Sequence, residues 1–233
     1  MADEPATRQY VRYTFYRVRP EWRARPVEER VADKESAVAA LERFAEKLVV
    51  LRTYSTVGSR GDCDFLVWSV GERLEDFAEL STALNTCRLG PFLQTAHSFL
   101  AMTKRSIYVG EHRHPGQEGS RTRIRPGSAR YLFVYPFWKT RSWYQLPQAE
   151  RQAMMNEHIR VGHKYPSVKI NTSYSFGLDD QEFVVAFETD SPADFLDLVM
   201  ELRESAASSY TLRDTPIFTC LWMKPGEALD AVG

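Results

Sequence analysis

The sequence predicts an α+β fold: two ferredoxin-like halves, each a βαββαβ unit, whose antiparallel sheets form a dimeric α+β barrel within one chain. Three observations lead there. The stretch GDCDFLVWSVGERLEDFAELSTALN (61–85) aligns without gaps on DDQEFVVAFETDSPADFLDLVMELR (179–203) at an offset of 118 residues, so Phe65 meets Phe183, Asp76-Phe77 meets Asp194-Phe195 and Leu84 meets Leu202. The same offset lays YTFYR (13–17) on YLFVY (131–135) and DKESAVAALERFAEKL (33–48) on RQAMMNEHIRVGHKYP (151–166). Between the copies runs SIYVGEHRHPGQEGSRTRIRPGSAR (106–130), rich in Gly, Pro, Ser and Arg and without an apolar period. The expected organisation is an N-terminal half over 1–105, a basic linker over 106–130 and a C-terminal half over 131–233.

Each element has its own signal. Tyr131, Phe133 and Tyr135 alternate with Leu132 and Val134, the period of two that marks a strand. On the helical run that follows, Met154, Met155, His158, Ile159 and Gly162 fall on one apolar stripe. QEFVVAFE is a strand that ends at Thr189-Asp190-Ser191-Pro192, a capping residue followed by proline in the first turn of a helix. Phe195, Leu198, Val199 and Leu202 then recur at helical spacing. The linker exceeds the usual length of a connection and is expected to be a functional loop.

Composition excludes several classes. With 233 residues, 43% hydrophobic and 12% aromatic, the chain buries a full core without a metal or disulfide staple. Cys63, Cys87 and Cys220 are odd in number, widely spaced and set among apolar residues, which suits reduced buried thiols. A formal net charge of -1 argues against general nucleic-acid binding. The start MADEPATRQY is acidic and lacks an apolar core, and no run reaches the roughly 18 apolar residues of a membrane span, so a soluble cytoplasmic protein is expected.

The duplication allows the halves to be compared with each other. At the offset of 118, Ala40 is replaced by His158 and Arg17 by Tyr135. A histidine on an apolar stripe is commonly a core residue bonded to backbone; a neutral imidazole among methionine and aliphatic side chains is also what a haem iron takes as a proximal ligand. His163 points elsewhere, near the helix end. His112 and His114 flank Arg113, but no carboxylate or cysteine pattern completes a metal site. Phosphate loops, GxSxG elbows and HExxH helices are absent. Arg121, Arg123, Arg125 and Arg130, with Lys104, Arg105, Lys139 and Arg141 nearby, form either a solvated surface run or a clamp for a small polyanion.

YLFVYPFWKTRSWYQLP, MMNEHIRVGHKYP, GLDDQEFVVAFETDSPADFLDLVMELRE and YTLRDTPIFTC together resemble the chlorite dismutase superfamily, in particular its coproheme decarboxylase branch, over most of residues 10–222. The resemblance implies haem in the C-terminal half, usually a pentameric ring, and a peroxide-dependent conversion of iron coproporphyrin III (coproheme) into haem b. By its motifs, His158 matches the proximal iron ligand, Tyr135 a tyrosine beside a propionate, and Lys139 a lysine that contacts a propionate and assists proton movement. The chemistry this resemblance implies is that peroxide oxidises the iron, Tyr135 becomes a radical and takes hydrogen from a propionate β-carbon, and carbon dioxide leaves a vinyl group, with two rounds completing the reaction. Arg121 is the leading candidate for propionate binding, with Arg130 behind it, and Trp143 and Tyr144 are expected in the pocket wall. A ferrochelatase is the implied transient donor.

Chlorite dismutases carry a distal arginine on the strand that here reads SVKINTSYSF (167–176), where Ile170 or Asn171 stands instead. Chlorite turnover is therefore disfavoured. No distal glutamine is evident either, leaving His112, His114 or another loop residue for that role. A different class stays open: a haem-free or haem-carrying barrel that binds a small molecule.

Overall fold

The computed structural model describes residues 8–108 and 123–233. The first set of elements is β1 (Tyr10–Val18), the short α1 (Pro20–Arg23), α2 (Val27–Ala45), β2 (Val50–Ser55), β3 (Phe65–Gly71), α3 (Leu74–Thr86) and β4 (Leu93–Met102). The second is β5 (Tyr131–Lys139), α4 (Arg141–Gln145), α5 (Gln148–Gly162), β6 (Lys169–Tyr174), β7 (Phe183–Thr189), α6 (Pro192–Glu204), β8 (Thr211–Arg213), β9 (Phe218–Trp222) and α7 (Pro225–Asp230). Strands run β7-β6-β4-β1-β3-β2-β9-β5, and β5 pairs back onto β7, so the sheet closes into an α+β barrel with β8 hanging from the end of β5. Within the ring, β4-β1-β3-β2 and β9-β5-β7-β6 repeat one order, joined through Tyr54↔Trp222 and Met102↔Tyr174. Closure pairs the strand edges that each four-stranded sheet would otherwise expose.

Alternation divides the side chains between two environments. Val11, Tyr13 and Phe15, Leu66, Trp68 and Val70, Leu132 and Val134, and Val184 and Ala186 fill the barrel, where Phe15 stacks on Phe218 at 3.9 Å. The other face of each strand meets helices. In the first half this outer layer is dense, with Trp22, Ala37, Leu41, Phe44, Phe77, Leu80 and Leu84 all buried. The second half buries only Phe133, Val161, Val185, Phe187, Phe195 and Leu198 in that layer.

Strand register corrects the sequence comparison. Tyr16 lies opposite Phe65 and Phe137 opposite Phe183, so β1 maps onto β5 at an offset of 121 although β3 maps onto β7 at 118. The difference of three is odd and would turn every side chain to the wrong face. The counterpart of Tyr135 is therefore Thr14, opposite Val67 as Tyr135 is opposite Val185, and not Arg17. The helices α2 and α5 both follow a proline cap, Pro26 and Pro147, which places His158 at the position of Ala37 rather than Ala40.

The described end of the linker, 123–130, is seated across one end of the barrel. Ile124 is buried and donates its N–H to Gln9 Oε1 at 2.7 Å. Gly127 donates to both oxygens of Glu188 (3.0 and 2.8 Å), while its carbonyl accepts from Arg52 Nη1 at 2.6 Å. Glu188, only 1% exposed, also accepts from Asn171 Nδ2 at 2.8 Å. Glu188→Ala strips two donors, Gly127 N–H and Asn171 Nδ2, of their acceptor inside the barrel and is expected to cost about 2–4 kcal/mol in urea unfolding. A loss below about 0.5 kcal/mol, the scale of an ordinary surface change, would show that the carboxylate is not the anchor.

Candidate functional site

On β5, Tyr131, Phe133, Tyr135 and Phe137 face the helices, and Leu132 and Val134 face the barrel. Proline in this aromatic strand has a local reason. Glu182 N–H bonds to the Phe137 carbonyl, so the odd-numbered residues point their backbone groups toward β7 and Pro136 points to the other side. There β9 pairing has already stopped at Val134, and a missing N–H breaks no ladder bond.

Beyond Pro136 the strand changes partners. A bulge between Trp138 and Lys139 brings in β8. Lys139 N–H and the Tyr144 hydroxyl both donate to Glu182 Oε2, at 2.8 and 2.6 Å. Lys139 Nζ then reaches the Ala207 carbonyl at 2.7 Å and lies 4.6 Å from the centre of the Trp143 ring. Trp143 is 3% exposed and packs against Tyr210. Burial draws the Lys139 ammonium down to about 8, against a smaller opposing pull from Glu182.

Helix α5 carries Met154, His158 and Gly162 on the stripe where α2 buries Asp33, Ala37 and Leu41, yet these three are only half-buried. The facing sheet is incompletely covered as well: Ile170 on β6, opposite Phe187, is 48% exposed, and Thr172 is exposed. A Cβ added at Gly162 would meet nothing within 4 Å. Alanine lets α2 close on its sheet, whereas the second half keeps a partly open apolar face. His158 stands over it, lowered to about 4 by burial and then by the Lys139 charge, so its imidazole is neutral across the physiological range. Tyr135 shares the face, stacked on Phe187 at 5.9 Å, its phenol pushed up first by burial and then by Asp214.

Tyr135, Lys139, His158 and Trp143 thus belong to one region. Arg130 is at the opposite end of β5, its N–H bonded to Asp190 and its guanidinium 5.7 Å from the Tyr131 ring centre. The structure does not bring it to Lys139. Arg121, His112 and His114 lie outside the described residues. Of the two distal-strand candidates, Ile170 is on the helix side, while Asn171 points into the barrel at Glu188. His163 caps the end of α5. A separate cleft of about 490 Å³, lined by His97, Phe99, Pro136, Trp138, Gln181 and Arg213, opens at the barrel mouth behind β5.

The sequence reading missed Glu182, the carbonyl of Ala207 and the Arg203–Asp214 pair. Glu182 had a signal: at the repeat offset it matches Asp64, whose Oδ2 accepts Val18 N–H at 2.6 Å, as Glu182 accepts that of Lys139. Lys139→Met is expected to stabilise the ligand-free protein by about 1 kcal/mol near neutral pH. The ammonium is disfavoured in the folded state, so its penalty is complete below about pH 8 and fades as the pH climbs toward the ordinary lysine value of 10.5. Melting temperatures at about pH 6.5 and 9.5 test this; an equal or larger gain at the higher pH contradicts it.

A closed barrel of two ferredoxin-like halves, with a neutral imidazole above a partly open sheet face, defines a dimeric α+β barrel. The chain belongs to the chlorite dismutase family, whose model matches residues 27–223. It is 30% identical over 216 residues to the coproheme decarboxylase of Mycolicibacterium smegmatis (strain ATCC 700084 / mc(2)155), covering 92% of this chain and 90% of that protein. Among solved structures it is similar to a variant of chlorite dismutase from Candidatus Nitrospira defluvii, with a TM-score of 0.87 at 24% identity, covering 96% of this chain and 94% of the other. The imidazole complex of that dismutase gives a TM-score of 0.86, also at 24% identity and with the same coverage. No helix among the described residues is long and apolar enough to cross a membrane.

Proposed function

We propose that the protein is a peroxide-dependent coproheme decarboxylase that removes two propionates of iron coproporphyrin III to give haem b. The observation that carries this reading is the grouping of neutral His158, half-buried cationic Lys139 and Tyr135 around one partly open apolar face. The similarity to a coproheme decarboxylase supports it, and Ile170, in place of a cation on the helix side of β6, speaks against chlorite chemistry.

The residues fit an iron porphyrin. His158 offers a nitrogen lone pair at neutral pH, the apolar face suits a flat macrocycle, and Lys139 suits a propionate. When bound, the iron porphyrin supplies the redox centre at which peroxide delivers its oxidising equivalents. His158 would hold the iron through its neutral ring nitrogen. Lys139 exchanges the Ala207 carbonyl for a propionate carboxylate, a stronger charge-assisted bond, while Trp143 keeps its stem in place. Tyr135 keeps its phenolic proton at physiological pH, gives up a hydrogen atom under oxidation, and takes one back from the propionate β-carbon. Loss of a further electron and of carbon dioxide leaves the vinyl group, with one peroxide reduced to water for each propionate. Arg121 and Arg130 are assigned to the remaining propionates. We place the protein in the cytoplasm as a homo-oligomer, receiving coproheme from a ferrochelatase.

The test is to add iron coproporphyrin III to the purified protein, titrate with hydrogen peroxide and follow products by mass spectrometry. Stepwise loss of two carboxyl groups is expected. Binding without decarboxylation would leave a haem carrier, and no binding would return the protein to the haem-free barrels.

A further inference from the structure

Asp214 follows β8 at the edge of the same face. Neighbouring Arg213 turns toward the barrel mouth, its guanidinium 5.3 Å from the Trp138 ring centre, whereas Asp214 is ion-paired with Arg203 of α6 and so lies on the helix side. Continued by one residue past the end of β8, the Trp138↔Arg213 pair brings Asp214 alongside Phe137. From there Tyr135 is one diagonal step away on the same face, a Cα separation of roughly 7–8 Å that a phenol and a carboxylate can span directly or through one water.

The other charged groups of this face are committed. Glu182 Oε2 holds Lys139 N–H and the Tyr144 hydroxyl, Glu157 accepts from Ala206 N–H at 3.2 Å, and Lys139 as an ammonium has no lone pair. Asp214 is the carboxylate whose charge acts most on Tyr135, and Arg203 opposes it.

We propose that Asp214, steadied by Arg203, is the positioning residue that orients the Tyr135 hydroxyl and receives its proton when Tyr135 is oxidised. This rests on the decarboxylase reading. In the step, the Tyr135 O–H bond breaks, the proton passes to an Asp214 carboxylate oxygen, and the electron goes to the peroxide oxidant. The O–H bond re-forms with the hydrogen atom taken from the propionate, and the proton on Asp214 leaves with the water made from peroxide.

The first measurement needs no ligand: 3-nitrotyrosine is installed at position 135 of the full chain and titrated by absorbance. Asp214→Asn is expected to lower the nitrophenol pKa by about one unit, because a nearby anion disfavours the phenolate, and Asp214→Glu to keep it raised. No shift in Asp214→Asn overturns the proposal. The second adds coproheme and peroxide: Asp214→Gly is expected to slow the first decarboxylation about 10- to 100-fold at unchanged coproheme affinity, with formate restoring it. A slow rate that formate does not restore means a merely structural role. If wild-type protein does not decarboxylate at all, the functional reading fails, and the nitrotyrosine titration still decides whether Asp214 acts on Tyr135.

Discussion

Tyr135→Phe is expected to bind iron coproporphyrin III as well as the wild type does and to release no carbon dioxide from it, slowing the first decarboxylation by about three orders of magnitude or more. The substitution removes one oxygen and keeps the ring stacked on Phe187. Packing and the grip of His158 and Lys139 are then unchanged. What disappears is the only part of the side chain that can hold and return a hydrogen atom. The measurement is single-turnover product analysis by mass spectrometry beside an optical binding titration. A variant that decarboxylates within about tenfold of wild type would remove Tyr135 from the chemistry, and one that binds poorly would make it a substrate contact.

His158→Ala is expected to weaken coproheme binding about 100-fold or more, since changing groups that merely orient such ligands costs about 10- to 100-fold. Ala37 shows that alanine is accepted at this place in the repeat, so the variant is expected to fold. Free imidazole added to the variant restores binding if the loss is that of a ligand atom. The pH profile gives a second signature. With His158 lowered to about 4, protons do not compete for its nitrogen above about pH 5, and affinity stays level until Lys139 loses its proton near 8. A break near the ordinary histidine value of 6.5 would show that the imidazole is not desolvated.

The duplicated fold was legible because both halves keep strand and helix periods over long stretches, and residues such as Phe65 and Phe183 mark equivalent places. What one constant offset hid was the change of spacing between β1 and β3. A straight alignment carried Tyr135 to Arg17 and His158 to Ala40, and only hydrogen-bonded register moved them to Thr14 and Ala37. His158 and Tyr135 drew notice regardless of the offset, because a histidine on an apolar stripe and a tyrosine at a strand end stand out as residue types. Lys139's partner was not, because a carbonyl such as that of Ala207 has no signature in sequence. The described end of the linker has a structural part that its composition did not announce. Its arginines read as either a solvated run or a clamp for a polyanion; among the described ones Arg123 pairs with Glu72 at 2.7 Å, and Gly127 contributes by having no side chain, as a Cβ there would lie 3.3 Å from Glu188 Oε2. The terminal helix α7 carried too short an apolar pattern to be anticipated.

The ring of strands is complete without a guest, for its last seams are the β2–β9 and β4–β6 pairs, and the partly open face with His158 lies outside that ring. A catalyst whose substrate is also its chromophore must be emptied after every cycle and remain fit to be filled again. On the decarboxylase reading the mould and the lid are separate parts: the barrel is expected to keep its shape while α5 yields to the incoming or departing plate. Such a protein behaves as a reusable cradle rather than as a shell built around its cargo, and hydrogen exchange in the strands is expected to be nearly the same empty or loaded, with the difference concentrated in α5.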